Sequence, residues 1–64
     1  MEEARIIRRV VLRDDERVEY HIELRREDGA RLRRPGGYIT YESALQVARR
    51  EGLDVIQGWA DEYV

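Results

Sequence analysis

From residue 17 to residue 26 the chain reads R-V-E-Y-H-I-E-L-R-R, with Val18, Tyr20, Ile22 and Leu24 alternating without a break with Glu19, His21, Glu23 and Arg25. A period of two sends successive side chains to opposite faces, so this stretch predicts a half-buried strand with one oily and one charged face. Residues 4–13, A-R-I-I-R-R-V-V-L-R, are rich in β-branched side chains and predict a preceding strand, although the doublets Ile6-Ile7 and Val10-Val11 also suit a helix face. Asp14, Asp15 and Glu16 supply turn-type residues between the two. Pairing Arg13 with Arg17 sets Leu12 opposite Val18, Val10 opposite Tyr20 and Ile6 opposite Leu24, so the oily faces agree. Only Arg8, opposite Ile22, is then out of place, and a bulge or an aliphatic stem laid along the core edge would accommodate it.

The next turn can be read more closely, because a slip of one residue would send every side chain to the wrong face. A two-residue Asp28-Gly29 loop places Leu32 opposite Arg25. A three-residue loop of Glu27, Asp28 and left-handed Gly29 instead pairs Leu24 with Leu32 and Glu23 with Arg33, and predicts a third strand. Arg34-Pro35-Gly36-Gly37 then reads as a turn, with proline second and glycine third. A double glycine near a helix start also suggests a phosphate cradle, but the turn is the preferred reading because the glycine spacing of such a loop is missing and no lysine follows. Thr40 is placed to cap a helix over residues 41–51 whose inner face carries Tyr41, Ala44, Leu45 and Ala48, with Gly52 as its stop and Leu53 folding back. Residues 54–64 predict a last strand with Val55-Ile56 at its core and Trp59 and Tyr63 further along its alternation. The helical crossover makes it parallel to the first and third strands and sets it beside one of them. The expected fold class is α+β: a three-stranded antiparallel meander covered on one face by a single helix, with a C-terminal fourth strand, in the order β-β-β-α-β.

Length and charge bound what such a fold can do. Sixty-four residues make a single small α+β domain, 1–64, too short for a deep active-site cavity, since a chain of this size buries only about 60% of the surface its unfolded form exposes. Cysteine is absent, no apolar run is long enough to span a bilayer, and the Met1-Glu2-Glu3 start is acidic where a secretory signal is basic. The expected location is therefore cytoplasmic. The net charge of −2 conceals that all twelve basic residues are arginine. A GC-rich coding genome explains that choice of base without explaining where the bases sit. Arginine's planar fork grips carboxylate and phosphate through paired hydrogen bonds and sheds water more easily than lysine.

On the register above, the charged face gathers Arg5, Ile7, Arg9, Val11 and Arg13 with Arg17, Glu19, His21, Glu23, Arg25, Arg31 and Arg33. Seven arginines meet two acids there, a formal +5, while the other acids fall on termini, turns, the helix and the last strand. A solvated sheet face needs charge, and pairs such as Glu23 with Arg33 are ordinary cross-strand partners. Arginines facing one another at Arg13/Arg17 and Arg25/Arg31, with Ile7 and Val11 exposed among them, suit a docking surface instead. The candidate partner-binding residues are Arg5, Arg9, Arg13, Arg17, Arg25, Arg31, Arg33, Ile7, Val11 and His21. The first reading is a small non-enzymatic interaction module, an inhibitor or regulator of phage or mobile-element type, docking this face on an acidic protein partner. The alternative is duplex DNA or RNA on the same face, since the layout resembles the major-groove-reading sheets of plant AP2-type domains and of phage integrase arm-binding domains. Against it, the chain is acidic overall and the face has no aromatic residue for stacking bases. A third reading is a homodimeric structural protein joined through an edge strand with Trp59 and Tyr63 as anchors, set against the simpler expectation that both finish the core.

No constellation points to catalysis, a cofactor or a metal. His21 is the one histidine, flanked by Glu19 and Glu23 on the solvated face, with no serine or cysteine placed as a nucleophile. Neither Asp14-Asp15-Glu16 nor Glu27-Asp28 has the spaced oxygen ligands of a calcium loop. Arg49 and Arg50 favour the negative end of the helix dipole. Between residues 20 and 48, the succession of strand, Asp28-Gly29 turn, strand, Gly37-Tyr38 and Ser43-Ala44-Leu45 in a helix is similar to the small YegP-type bacterial proteins. The likeness covers under half of the chain, has Asp-Gly where those proteins usually carry Asn-Gly, and implies no catalytic residue.

Overall fold

The computed structural model describes residues 2–13 and 17–64, so the turn expected at Asp14, Asp15 and Glu16 lies outside the described residues. Strands β1 (Glu3–Val11), β2 (Arg17–Arg25) and β3 (Arg31–Arg33), helix α1 (Tyr41–Arg50) and strand β4 (Asp54–Tyr63) follow in the expected β-β-β-α-β order. They build one mixed sheet in the order β3-β2-β1-β4, with β1 antiparallel to β2 and parallel to β4. The fold is α+β, and the crossover sets β4 beside β1 rather than beside β3.

The β2/β3 turn closes as the glycine dictates. Gly29 takes φ +87°, its amide donates to the Arg26 carbonyl at 2.9 Å, and Arg26 donates to the Ala30 carbonyl at 2.9 Å. That three-residue loop pairs Leu24 with Leu32, Glu23 with Arg33 and Arg25 with Arg31. The β1/β2 register differs from the expectation by two residues: Val11, not Arg13, lies opposite Arg17, and Ile6 lies opposite Ile22. Both registers keep even-numbered side chains on one face, so the hydrophobic pattern alone does not separate them. The observed one also resolves the conflict at Arg8, which sits opposite Tyr20.

Helix α1 is capped by Thr40, whose hydroxyl oxygen accepts from the Ser43 amide at 3.1 Å. It ends at Gly52 with φ +77°, where Leu53 donates to the Ala48 carbonyl at 3.1 Å and folds back as expected. Ala44 and Ala48 are fully buried and let the helix lie close on Ala4, Ile6 and Ile22, with Tyr41, Val47, Leu24, Leu53 and Val55 packed around them. Leu45, expected on this face, stands outside that cluster.

Across the helix side the sheet reads in rows from β2 to β4: Leu24, Ala4, Val55; then Ile22, Ile6, Trp59; then Tyr20, Arg8, Asp61; then Val18, Val10, Tyr63. Between Val55 and Trp59 the last strand carries two more residues than β1 does between Ala4 and Ile6, and Gly58 at φ +82° absorbs them. The Gly58 amide, out of step with the ladder, donates to the Tyr41 hydroxyl at 3.3 Å. A ten-residue helix is about 15 Å long and nine-residue strands about 30 Å, so α1 covers the first two rows and leaves the last uncovered. Trp59, at the β4 edge of the second row, and Tyr63, in the uncovered last row, do not finish the core: they are 46% and 64% exposed.

Candidate functional site: the open sheet face

Odd-numbered positions of β1, β2 and β3 share the face away from the helix, as the alternation requires. That places Arg5, Ile7, Arg9, Val11, Arg17, His21, Arg25, Arg31 and Arg33 together, while Arg13 lies beyond the end of β1 and is exposed. The face is less basic than the sequence suggests. Glu3 joins it on β1, and Glu62 reaches it from β4, so six strand arginines face four glutamates, a formal +2 rather than +5. The expected Arg13/Arg17 opposition does not form, whereas Arg25/Arg31 does.

The centre of the face is closed by charged side chains. Arg33, on one outer strand, donates Nη1 to Glu62 Oε1 at 3.1 Å and Nη2 to Glu62 Oε2 at 2.9 Å, and Glu62 belongs to the opposite outer strand. Glu23 Oε2 stands 3.4 Å from the same Nη2, and Arg9 Nε is 3.9 Å from Glu62. Outer strands of a flat four-stranded sheet are roughly 14 Å apart at about 4.8 Å per spacing, so this bidentate clasp requires the twist that lifts diagonal corners towards one side. Beneath it lie Ile7 and His21, 6% and 7% exposed. The expectation that Ile7 is an exposed apolar spot and that His21 points to solvent is thereby corrected, and Val11 is only half-exposed. His21 Nε2 lies 3.1 Å from Glu19 Oε2. The pair is roofed by Gly37, where a Cβ would come within 3.0 Å of that oxygen and 3.2 Å of the ring. The second glycine of the turn is therefore needed for close approach, while the first, Gly36 at φ +88°, makes the turn itself.

The Glu62 carboxyl is held below its ordinary range, first by the hydrogen bonds from Arg33 and then by the positive charges of Arg33 and Arg9. Arg33 is correspondingly held charged above the usual arginine value by its hydrogen bond to Glu62, with burial opposing. Arg17 pairs with Glu19 at 3.1 Å. These contacts occupy Arg17 and Arg33.

Arg5, Arg25 and Arg31 are differently placed. Arg25 lies opposite Arg31, and Arg5, opposite Glu23, is its diagonal neighbour. Among the described residues their one carboxylate contact is Glu3 at 3.8 Å from Arg25. They stand around an open groove of about 360 Å³ whose floor includes Ile7, Ile56 and Ala60. Sequence reasoning missed Ile56, assigned to the core, and gave Ala60 no role. Their signal was the even parity of β4, opposite to that of Val55. Among the described residues no three His, Asp or Glu side chains converge as metal ligands, and no helix is long and apolar enough to cross a membrane.

The chain matches no family model, no curated protein and no solved structure. The YegP-type likeness therefore rests on the residues between 20 and 48 alone.

Proposed function

We propose that the chain is a non-enzymatic interaction module that docks the Arg5, Arg25 and Arg31 end of its open sheet face on an acidic segment of a protein partner. The observation that carries this reading is the Arg25/Arg31 opposition. Like charges directly across a ladder are destabilising, and here they flank an apolar floor and lack carboxylates as close as those that neutralise Arg17 and Arg33. A segment alternating acidic and apolar side chains matches both parts of the groove: its carboxylates meet the guanidinium forks and its apolar groups meet Ile56 and Ala60. A role as an inhibitor or regulator follows from occupying such a segment.

Duplex nucleic acid fits less well. Its phosphates present a negative charge about every 1.7 Å of axis, and Glu3, Glu19, Glu23 and Glu62 are interspersed through the face that would meet them.

The test is fluorescence anisotropy with a labelled peptide of alternating Glu and Leu, run beside random duplex DNA at about 50 mM salt. Saturable peptide binding weakened about tenfold or more by Arg25→Glu with Arg31→Glu is expected. Peptide binding indifferent to both reversals overturns the reading, and tight DNA binding with a steep salt slope replaces it with the nucleic-acid one.

A further inference from the structure

The row on the helix side that α1 leaves bare is the second surface of this molecule. Val18, Val10 and Tyr63 lie side by side across it, Leu12 follows at 59% exposure, and Trp59 borders it. Val64, bonded through its backbone to Val10 and Leu12, extends it. Ile39, 88% exposed, shares a depression with Val18 at the β2 edge. Among the described residues the charged interruption is the Arg8–Asp61 pair, in which Arg8 donates at 2.7 Å with its guanidinium 5.7 Å from the centre of the Trp59 ring.

We infer that this bare half-face is covered by a second copy of the chain, sheet against sheet, about a two-fold axis. The shape argues for a copy rather than another partner. The molecule is a step, two layers thick under the helix and one layer thick beyond it. A helix layer is about 10 Å thick and two facing sheets also lie about 10 Å apart. The notch beside α1 in one copy therefore has the thickness of the bare sheet end of another, and two steps turned head to tail close into one block. The exposed area bears on how tight the contact is. The chain exposes 4814 Å², against about 4300 Å² for a compact monomer of its mass. The whole-chain excess of about 500 Å² falls short of the roughly 800 Å² that each partner buries in a standard interface. The dimer is accordingly a weak one, and its open faces point outward, so both Arg5, Arg25 and Arg31 grooves stay free.

Sedimentation equilibrium over a concentration series tests this on the whole chain. A reversible monomer–dimer equilibrium is expected, with Tyr63→Glu and Leu12→Glu each weakening it at least tenfold while circular dichroism and binding of the Glu-Leu peptide are unchanged. Both positions are exposed, so the fold should tolerate the changes. A wild-type chain that is monomeric at high micromolar concentration overturns the inference and leaves the half-face to a different protein. A dimer that ignores both substitutions, or one whose isotope-filtered spectra show backbone contacts between β4 edges in place of Trp59 and Tyr63 ring contacts, overturns it as well. Loss of peptide binding with dimerisation intact counts against the groove and not against this interface.

Discussion

On the helix side of the sheet Ile6 and Ile22 disappear beneath Ala44 and Ala48, whereas on the open side Ile7 and His21 reach nearly the same burial beneath Arg33, Glu62 and the backbone of Gly37. One cover is apolar, the other ionic. In a domain too small for a second layer of helices, long charged side chains spread over apolar neighbours do part of the work of a second core. The two covers should answer differently to their surroundings. Apolar burial is insensitive to ionisation, while the clasp depends on one carboxylate staying charged and on modest screening.

Removing an apolar member should have the largest effect. Ile22→Ala is expected to cost about 2–5 kcal/mol, a large share of the stability of so short a chain, read as a collapse of the urea midpoint. A loss below about 1 kcal/mol would mean that the helix side is not the anchor. Crowding the ionic cover comes next. Gly37→Ala sets a methyl against Glu19 and the His21 ring, and a cost of about 1–3 kcal/mol is expected, with displaced imidazole resonances. Unchanged stability and shifts would mean that the roof gives way freely.

Neutralising the clasp should be the mildest change and the most diagnostic. Glu62→Gln removes a half-exposed pair of a kind worth about 0–1 kcal/mol. Because Glu62 titrates below its ordinary 4.5 in the folded chain, its stabilisation is fully present above that pH and is lost as the pH falls through the lower folded value. The Tm of the wild type should therefore drop more steeply than that of Glu62→Gln on acidification below 4.5. Equal slopes would remove the clasp as the source of acid sensitivity.

Much of this architecture was legible in the order of residues. The alternation from Val18 to Leu24 specifies β2, and Asp28-Gly29 specifies both the loop length and the β2/β3 register, because only glycine accepts the left-handed position. The β1/β2 register was not legible: a slip of two preserves every inward and outward assignment, and only the connection through residues 12–16 distinguishes the alternatives. The candidate face was legible in membership and not in charge. Parity delivered Arg5, Arg9, Arg25, Arg31 and Arg33, but Glu62 arrives from a strand joined through the crossover, and its meeting with Arg33 depends on the twist of the whole sheet. For the same reason the burial of Ile7 and His21 could not be read locally, since what covers them is remote in the chain.

The two surplus residues around Gly58 act as a vernier on the C-terminal segment. Drawing those two residues into the ladder, with Val55 kept beside Ala4, would leave each later side chain on its original side of the ribbon but slide it one rung along β1, bringing Trp59 beside Arg8 and carrying Asp61 to Val10. The acid that now salts Arg8 would be delivered into the oily rung, and Glu62 would overshoot Arg9. Flattening the bulge at this one spot would thus unlock the open side and spoil the bare one at once, without altering a single residue on either.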